Sequence, residues 1–201
     1  MATDEKKLED FVYTQNDATK VSLGKGKVGG YIFAGASTLT PPTDASSDLP
    51  TGMVNLGYVS EDGITNSLET DSEDVKDLNG DVVMSTITSR KETFKFKLLE
   101  TQINSLKEVF GQSNVTETTT TTLKKTTVKS NSTPYDSRLY VMEFVLTGSR
   151  KMRVVVPLGK ISELGDKVYS AGEAIGYEVT ITCSPDANGN TAYMYIEETI
   201  A

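Results

Sequence analysis

The segment Ser89–Thr101, SRKETFKFKLLET, constrains the fold more than any other stretch of the chain. Phe94, Phe96 and Leu98 alternate with Thr93, Lys95 and Lys97, so one side is apolar and the other is wetted. A two-residue period of this kind marks a strand with one face on a core. The period then changes at once. Leu99, Ile103, Leu106 and Phe110 fall at helical spacings, and Gly111 stands where a helix would end. A strand running straight into a short helix, in a chain of alternating segments and turns, predicts a sheet-based domain flanked by one helix.

The rest of the chain reads as strands and connections. Met1–Lys27 is polar and reads as an N-terminal arm, with Leu8, Phe11, Val12, Val21 and Leu23 as its possible anchors. Val28–Ala36 is a strand candidate. Ser37–Gly52 is a Pro/Ser/Thr/Asp loop, longer than ordinary connections. Its sizeable apolar groups are Leu39, Pro41, Pro42, Leu49 and Pro50, too few for a core of its own, so it is expected to be mobile until it docks on a neighbour. Met53–Ser60 reads as a strand, Glu61–Gly63 as a turn, and the chain is then extended through Leu68. Asp81–Thr88 and Glu92–Leu99 read as two strands, and Thr101–Phe110 as the helix. Val115–Ser132 is a threonine–lysine tract, either an exposed ribbon or a mobile loop. Two hairpins close the chain. Arg138–Thr147 and Arg150–Leu158 meet at Gly148-Ser149, suited to a type II′ turn. Ile175–Cys183 and Thr191–Glu197 meet around Asn188-Gly189. The expectation is a mainly β single domain over residues 1–201, an antiparallel β-sandwich or barrel.

Composition narrows the function. Only 37% of residues are apolar and threonine is abundant, so a modest β-rich core with extensions that bury themselves on another subunit is expected. No apolar run is long enough to cross a bilayer, and MATDEKKLEDF has no apolar signal core. Cys183, alone in the chain, cannot form an internal disulfide and reads as a small buried hydrophobe, which fits folding in a reducing cytoplasm. There is no histidine, which removes the commonest general base and most nucleophile triads. The chain is not read as an enzyme, and no metal or cofactor is expected. Gly24, Gly26 and Gly29 satisfy a dinucleotide-loop spacing, but a strand rather than a helix follows, so GKGKVGG reads as a flexible joint. DLNGD, Asp77–Asp81, resembles part of a calcium loop, but an Asn-Gly turn between strands explains it.

The net charge is −8, and most of it lies in one band. Glu61, Asp62, Glu69, Asp71, Glu73, Asp74, Asp77 and Asp81 face only Lys76 in the same stretch. Such a chain lacks the clustered cations of a nucleic-acid binder. The band reads either as a solvated loop or as a functional acidic surface.

In order and spacing, GGYIFA, the loop with PPTDA, VNLGYVSEDGI, the acidic stretch, NGDVV and ETFKFKLLE resemble the tail tube proteins of long-tailed phages with non-contractile tails. The likeness runs from about Gly29 to Glu100. It departs from the family at Leu78, where relatives often carry a tryptophan, and the immunoglobulin-like domain that many relatives append at the C-terminus is not expected here. The resemblance implies a sandwich subunit with a helix on its outer side. Six copies would form a ring whose inner sheets join into a barrel, and rings would stack into a tube. The long loop and the arm would bridge subunits, tape measure and tail-end proteins would be partners, and DNA would pass through without specific binding. The acidic band would line the lumen or a ring interface. A tube from a contractile or secretion apparatus, or a monomeric β-sandwich adhesin, are the alternatives.

Overall fold

The computed structural model describes residues 18–199. The part of the expected arm before Ala18, with Leu8, Phe11 and Val12, lies outside the described residues. Within them the Val21 and Leu23 side chains are exposed, and Leu23 is tied to the body by its backbone N–H, which donates to Thr147 Oγ1 at 3.0 Å. The strands are β1 (Lys25–Gly26), β2 (Ile32–Ala36), β3 (Val54–Asn55), β4 (Val59–Lys76), β5 (Val82–Leu98), β6 (Val115–Thr119), β7 (Lys124–Val128), β8 (Arg138–Val145), β9 (Lys151–Leu164), β10 (Tyr177–Ser184) and β11 (Tyr193–Glu197). The helix α1 spans Ile103–Phe110. The main sheet is antiparallel in the order β3-β2-β8-β9-β10-β5-β4, with β1 added to β8 and β11 added to β9. The mainly β architecture with one helix stands as expected.

Strand β9 turns this sheet into two layers. Its first half, Lys151–Val155, lies between β8 and β11, and its second half, from Leu158 onward, pairs with β10. The change of neighbour falls at Pro157. The β8–β9 register shifts between Arg138 and Tyr140, which pair with Gly159 and Val156. A proline supplies no N–H to a ladder, so it sits where the ladder is already interrupted. Gly159 follows because the Tyr140 ring lies over it, where a Cβ would meet Tyr140 Cδ2 at 2.6 Å.

Between the layers lies the main core. Phe94, Phe96 and Leu98 of β5, Tyr177, Val179, Ile181 and Cys183 of β10, and Tyr140 and Met142 of β8 share it with Leu106 and Val109 of α1. The helix flanks this core and closes it with one face, Ser105, Leu106, Glu108 and Val109 being its buried residues. Its seat is fixed by Ser105 Oγ, which donates to the Leu56 carbonyl at 2.8 Å, and by a buried polar group. Tyr140 Oη donates to Glu108 Oε1 at 2.5 Å, and Arg138 Nε stands 3.0 Å from Glu108 Oε2 as an ion pair without hydrogen-bond alignment. Burial, the larger influence, pushes the Glu108 carboxyl above its ordinary range against the pull of Arg138. The Cys183 thiol is buried and pushed up to about 12.

Several expectations change in detail. Asp81–Thr88 and Glu92–Leu99 are one strand, β5, because no glycine or proline interrupts Ser89–Lys91. Met53–Ser60 is broken at Gly57, whose φ is 84° and whose Cβ would meet the Glu100 carboxylate at 2.4 Å. Glu61–Gly63 is not a turn. It is a bulge inside β4, where the register steps from Val59 opposite Leu98 to Ile64 opposite Phe96. GKGKVGG is not a free joint either, since Lys25 and Gly26 pair with Val145 and Phe144. Gly148 and Ser149 both have positive φ (78° and 61°), whereas a type II′ turn needs it only at the first. The Asn188-Gly189 turn forms, with Gly189 N–H donating to Asp186 O at 3.0 Å, but it does not join a hairpin. Both edges of β10 are taken by β5 and β9, so β11 crosses to the first half of β9. The threonine–lysine tract is a separate β6–β7 ribbon, exposed except at Val115. At its base the Asn114 and Asn131 amides hydrogen-bond each other at 3.0 and 2.9 Å.

Candidate assembly surfaces

The acidic band is an extended ribbon, not a loop. Strands β4 and β5 pair from Ile64 opposite Phe96 to Lys76 opposite Val82, and every residue from Thr65 to Lys91 is exposed. A hairpin therefore projects beyond the sandwich, with no third strand beside it among the described residues. Such a ribbon is marginal alone in water and gains stability from a further strand or a packing surface.

The eight acids separate along this ribbon. Glu61 and Asp62 sit in the bulge beside the body. Glu69, Asp71 and Glu73 lie on one face, the face shared with Thr93 and Lys95, while Asp74 lies on the other. Asp77 and Asp81 are at the tip. Asp77 is consumed by the turn: its Oδ1 accepts the N–H groups of Asn79 and Asp81, each at 2.9 Å, and Gly80 takes φ 89°. These bonds, led by that from Asp81, hold the Asp77 carboxyl below its ordinary range. The Asn-Gly turn expected there is present. The opposite face carries Leu68, Val82 and Ile87, all at least half exposed. Where β4 leaves the body, a cleft of about 250 Å³ opens between Phe94, Phe144, Met152 and Met194.

The loop of residues 37–52 is seated on its own subunit. Leu39 and Leu49, with Met53, cover Leu139, Val141 and Val155 on the outer face of β8 and β9. This explains the unbroken apolar run of β8, which is buried on both faces. Pro42 is buried, and Pro41 and Pro50 are half-buried. The loop's tip is fixed by Arg153, which is 1% exposed. The guanidinium donates to Asp44 O at 3.0 Å and to Ser47 O at 2.8 Å, and Nε donates to Glu143 Oε1 at 3.0 Å. Lys27 Nζ reaches the other oxygen of Glu143 at 2.6 Å, and Glu197 Oε1 accepts the Ala45 N–H at 2.9 Å. The expected mobility is corrected: the sheet beneath supplies the core that the loop lacks.

Glu143 and Arg153 were missed in the sequence, though a signal was there. Each is one charge inside an apolar run, and counting outward from the Gly148 turn places them opposite each other.

The second layer has a different outer surface. It consists of the end of β9, then β10, β5 and β4. Its inner face is the core. Its outer face carries Lys95 and Lys97 of β5 beside Glu178, Thr180 and Thr182 of β10; the Lys97 and Glu178 side chains lie against Gly176 and Gly165, at the two ends of the segment that joins β9 to β10. Among the described residues both borders of this layer are free: beyond Gly159, β9 pairs with β10 alone, and β4 pairs with β5 alone.

No helix among the described residues is long and apolar enough to cross a membrane. No curated protein matches the chain. Among solved structures, the chain is similar to one from the tail of an empty GTA particle determined by helical refinement with C6 symmetry. The identity is 10%, the TM-score 0.39, and the match covers 93% of this chain and 100% of that one. The model of a family described as phage tail tube protein matches residues 24–201, nearly the whole chain, and the chain belongs to that family.

Proposed function

We infer that this protein is the tube subunit of a long non-contractile phage tail, closing into six-membered rings that stack as a conduit for DNA. The observation that carries the reading is the pair of free borders on the β9–β10–β5–β4 layer. Four antiparallel strands place β4 antiparallel to β9, so β4 of one copy can continue the ladder onto β9 residues 160–164 of the next. Repetition around a ring extends one antiparallel sheet and closes it, which removes the exposed edges that otherwise invite uncontrolled pairing. The projecting β4–β5 hairpin, the loop at residues 37–52 and the N-terminal arm then supply contacts between subunits and between rings within a single tail-tube domain. Tape measure and tail-end proteins are its partners in the virion, and assembly takes place in the host cytoplasm.

Electron microscopy of the purified protein over a range of concentrations tests this. Rings or tubes of uniform diameter are expected at high concentration. A species that stays monomeric at millimolar concentration overturns the reading.

A further inference from the structure

The outer face of the β9–β10–β5–β4 layer is not the acidic wall that the charge of the chain suggests. Along β5, Lys91, Lys95 and Lys97 point to this face together, the alternate positions of the same strand being Glu92, Phe94, Phe96 and Leu98. Three lysines in one row are the cationic track that a polyanion would follow. Two carboxylates, however, stand beside the three lysines on the neighbouring strands. Lys95 Nζ lies 2.9 Å from Glu178 Oε1, Lys97 is directly opposite Glu178 in the ladder, and Lys91 is directly opposite Glu69. Between them the surface is hydroxyl: Thr182 Oγ1 donates to Ser162 Oγ at 2.9 Å, and Ser162 Oγ donates to the Thr180 carbonyl at 3.2 Å.

We propose that this face is the wall past which duplex DNA moves, and that Glu178 and Glu69 keep it non-adhesive by neutralising the lysine row of β5. The assignment rests on the tube reading above. It follows from position and charge. This layer carries the two free borders, so ring closure makes its outer face one continuous surface, while the outer face of the β8–β9 layer is already covered by Leu39 and Leu49. Lys95 meets Glu178 at contact distance, the other two lysines of the row face a carboxylate across the ladder, and Lys160 and Glu163 of β9 share the face opposite Thr182 and Thr180. At these spacings, within the Debye length of about 8 Å at physiological salt, the carboxylates cancel most of the lysine charge that passing phosphates would meet. Glu69 thereby gives part of the acidic band a specific task, the cancellation of cations on the adjacent strand.

Two measurements on assembled tubes test the proposal. A Thr180→Cys variant reports the placement of the face: Cys183 is buried and contributes little background. Labelling by a maleimide carried on a globular protein is expected in dispersed subunits and lost in tubes, whereas a small maleimide reacts in both. Equal labelling of tubes by the bulky reagent overturns the placement. The charge is tested by assembling Glu178→Gln, Glu69→Gln and the double variant with short fluorescent duplex DNA and pelleting the tubes. Wild-type tubes are expected to retain none. The double variant is expected to retain duplex with an affinity about ten- to forty-fold weaker at 200 mM than at 50 mM salt, as for two or three phosphates neutralised. Adding Lys95→Gln should reduce the retention. Variant tubes that retain no duplex at 50 mM salt overturn the neutralisation, and failure of the unmodified protein to form tubes overturns instead the function on which it rests.

Discussion

Arg153 lies directly opposite Glu143 on β8 and β9, and the guanidinium that meets this carboxylate also holds the carbonyls of Asp44 and Ser47. One buried cation thus ties the tip of a sixteen-residue loop, 37–52, to the sheet beneath it. A long loop is costly to order, roughly 1–2 kcal/mol per residue in backbone entropy. Here that cost is met within the subunit, so the loop's shape exists before any neighbour arrives.

Removing Arg153 while keeping its volume should therefore be severe. In Arg153→Met the Glu143 carboxylate stays buried with only Lys27 as a cation, and two loop carbonyls lose their donor. Breaking one side of a buried pair typically costs about 3–5 kcal/mol. Denaturant unfolding should show a loss of about 3 kcal/mol or more, and limited proteolysis should cut within residues 37–52 first. An unchanged midpoint, or cleavage elsewhere, would show that the loop is held by its leucines alone.

Gly159 offers a sharper steric test. The ring of Tyr140 occupies the space where a side chain would stand, and Tyr140 is held by Glu108. Gly159→Ala should destabilise by about 1–3 kcal/mol through overpacking. Adding Tyr140→Leu should recover part of that loss, because the clashing ring is gone. Two purely additive losses would place the clash elsewhere.

How much of this was legible in the sequence depends on range. The two-residue period of Phe94–Leu98, the helix ending at Gly111 and the Asn79-Gly80 turn are local matters of propensity and sterics, and they stand as read. What failed was decided by distant partners. The pairing of β11 with β9 follows from β10 having both edges filled, which nothing in Thr191–Glu197 announces. Glu61–Gly63 has the residues of a turn and becomes a bulge because Ile64 must face Phe96. The loop looked too poor in apolar groups to settle, yet Leu39 and Leu49 needed only the exposed side of Val141 and Val155. The division of the acidic residues between two faces and a tip depends on the β4–β5 register, which no local pattern in Glu61–Asp81 announces.

The Glu108 carboxyl gives a pH dependence with a definite sign. Burial raises its pKa in the folded protein above the ordinary range of a glutamate carboxyl. The folded state therefore binds the proton more tightly than the unfolded state. Its contribution to stability is fully present below the unfolded pKa and is lost as pH rises through the folded one. Glu108→Gln cannot titrate. The stability of the wild type relative to Glu108→Gln should thus be greater near pH 4 than near pH 7, measured by urea unfolding at both values. A relative stability that grows with pH would mean that Arg138, not burial, dominates this site.

The β4–β5 hairpin supplies the clearest separation between folding and assembly. Beyond Asn66 and Phe94 its residues leave the sandwich, and Leu68, Val82 and Ile87 stay exposed, so the subunit core has little at stake there. Asp71 and Ser89 are ladder partners. Joining them through a two-residue Asn-Gly turn, with Ser72–Thr88 removed, should leave a shorter hairpin of suitable turn chemistry. The shortened subunit should unfold within about 1 kcal/mol of the full-length protein, since no buried apolar group is lost. It should not form tubes, because the ribbon that extends β4 beyond the body is gone. Hydrogen exchange in the unmodified protein provides the complementary readout. Amides of Thr70–Lys76 should exchange much faster than those of Phe94–Leu98 in dispersed subunits, and become protected on assembly. Normal tubes from the shortened chain, or ribbon amides that remain unprotected in tubes, would assign the contacts to the body alone. A shortened chain that cannot fold would show that the ribbon stabilises the sandwich from which it projects.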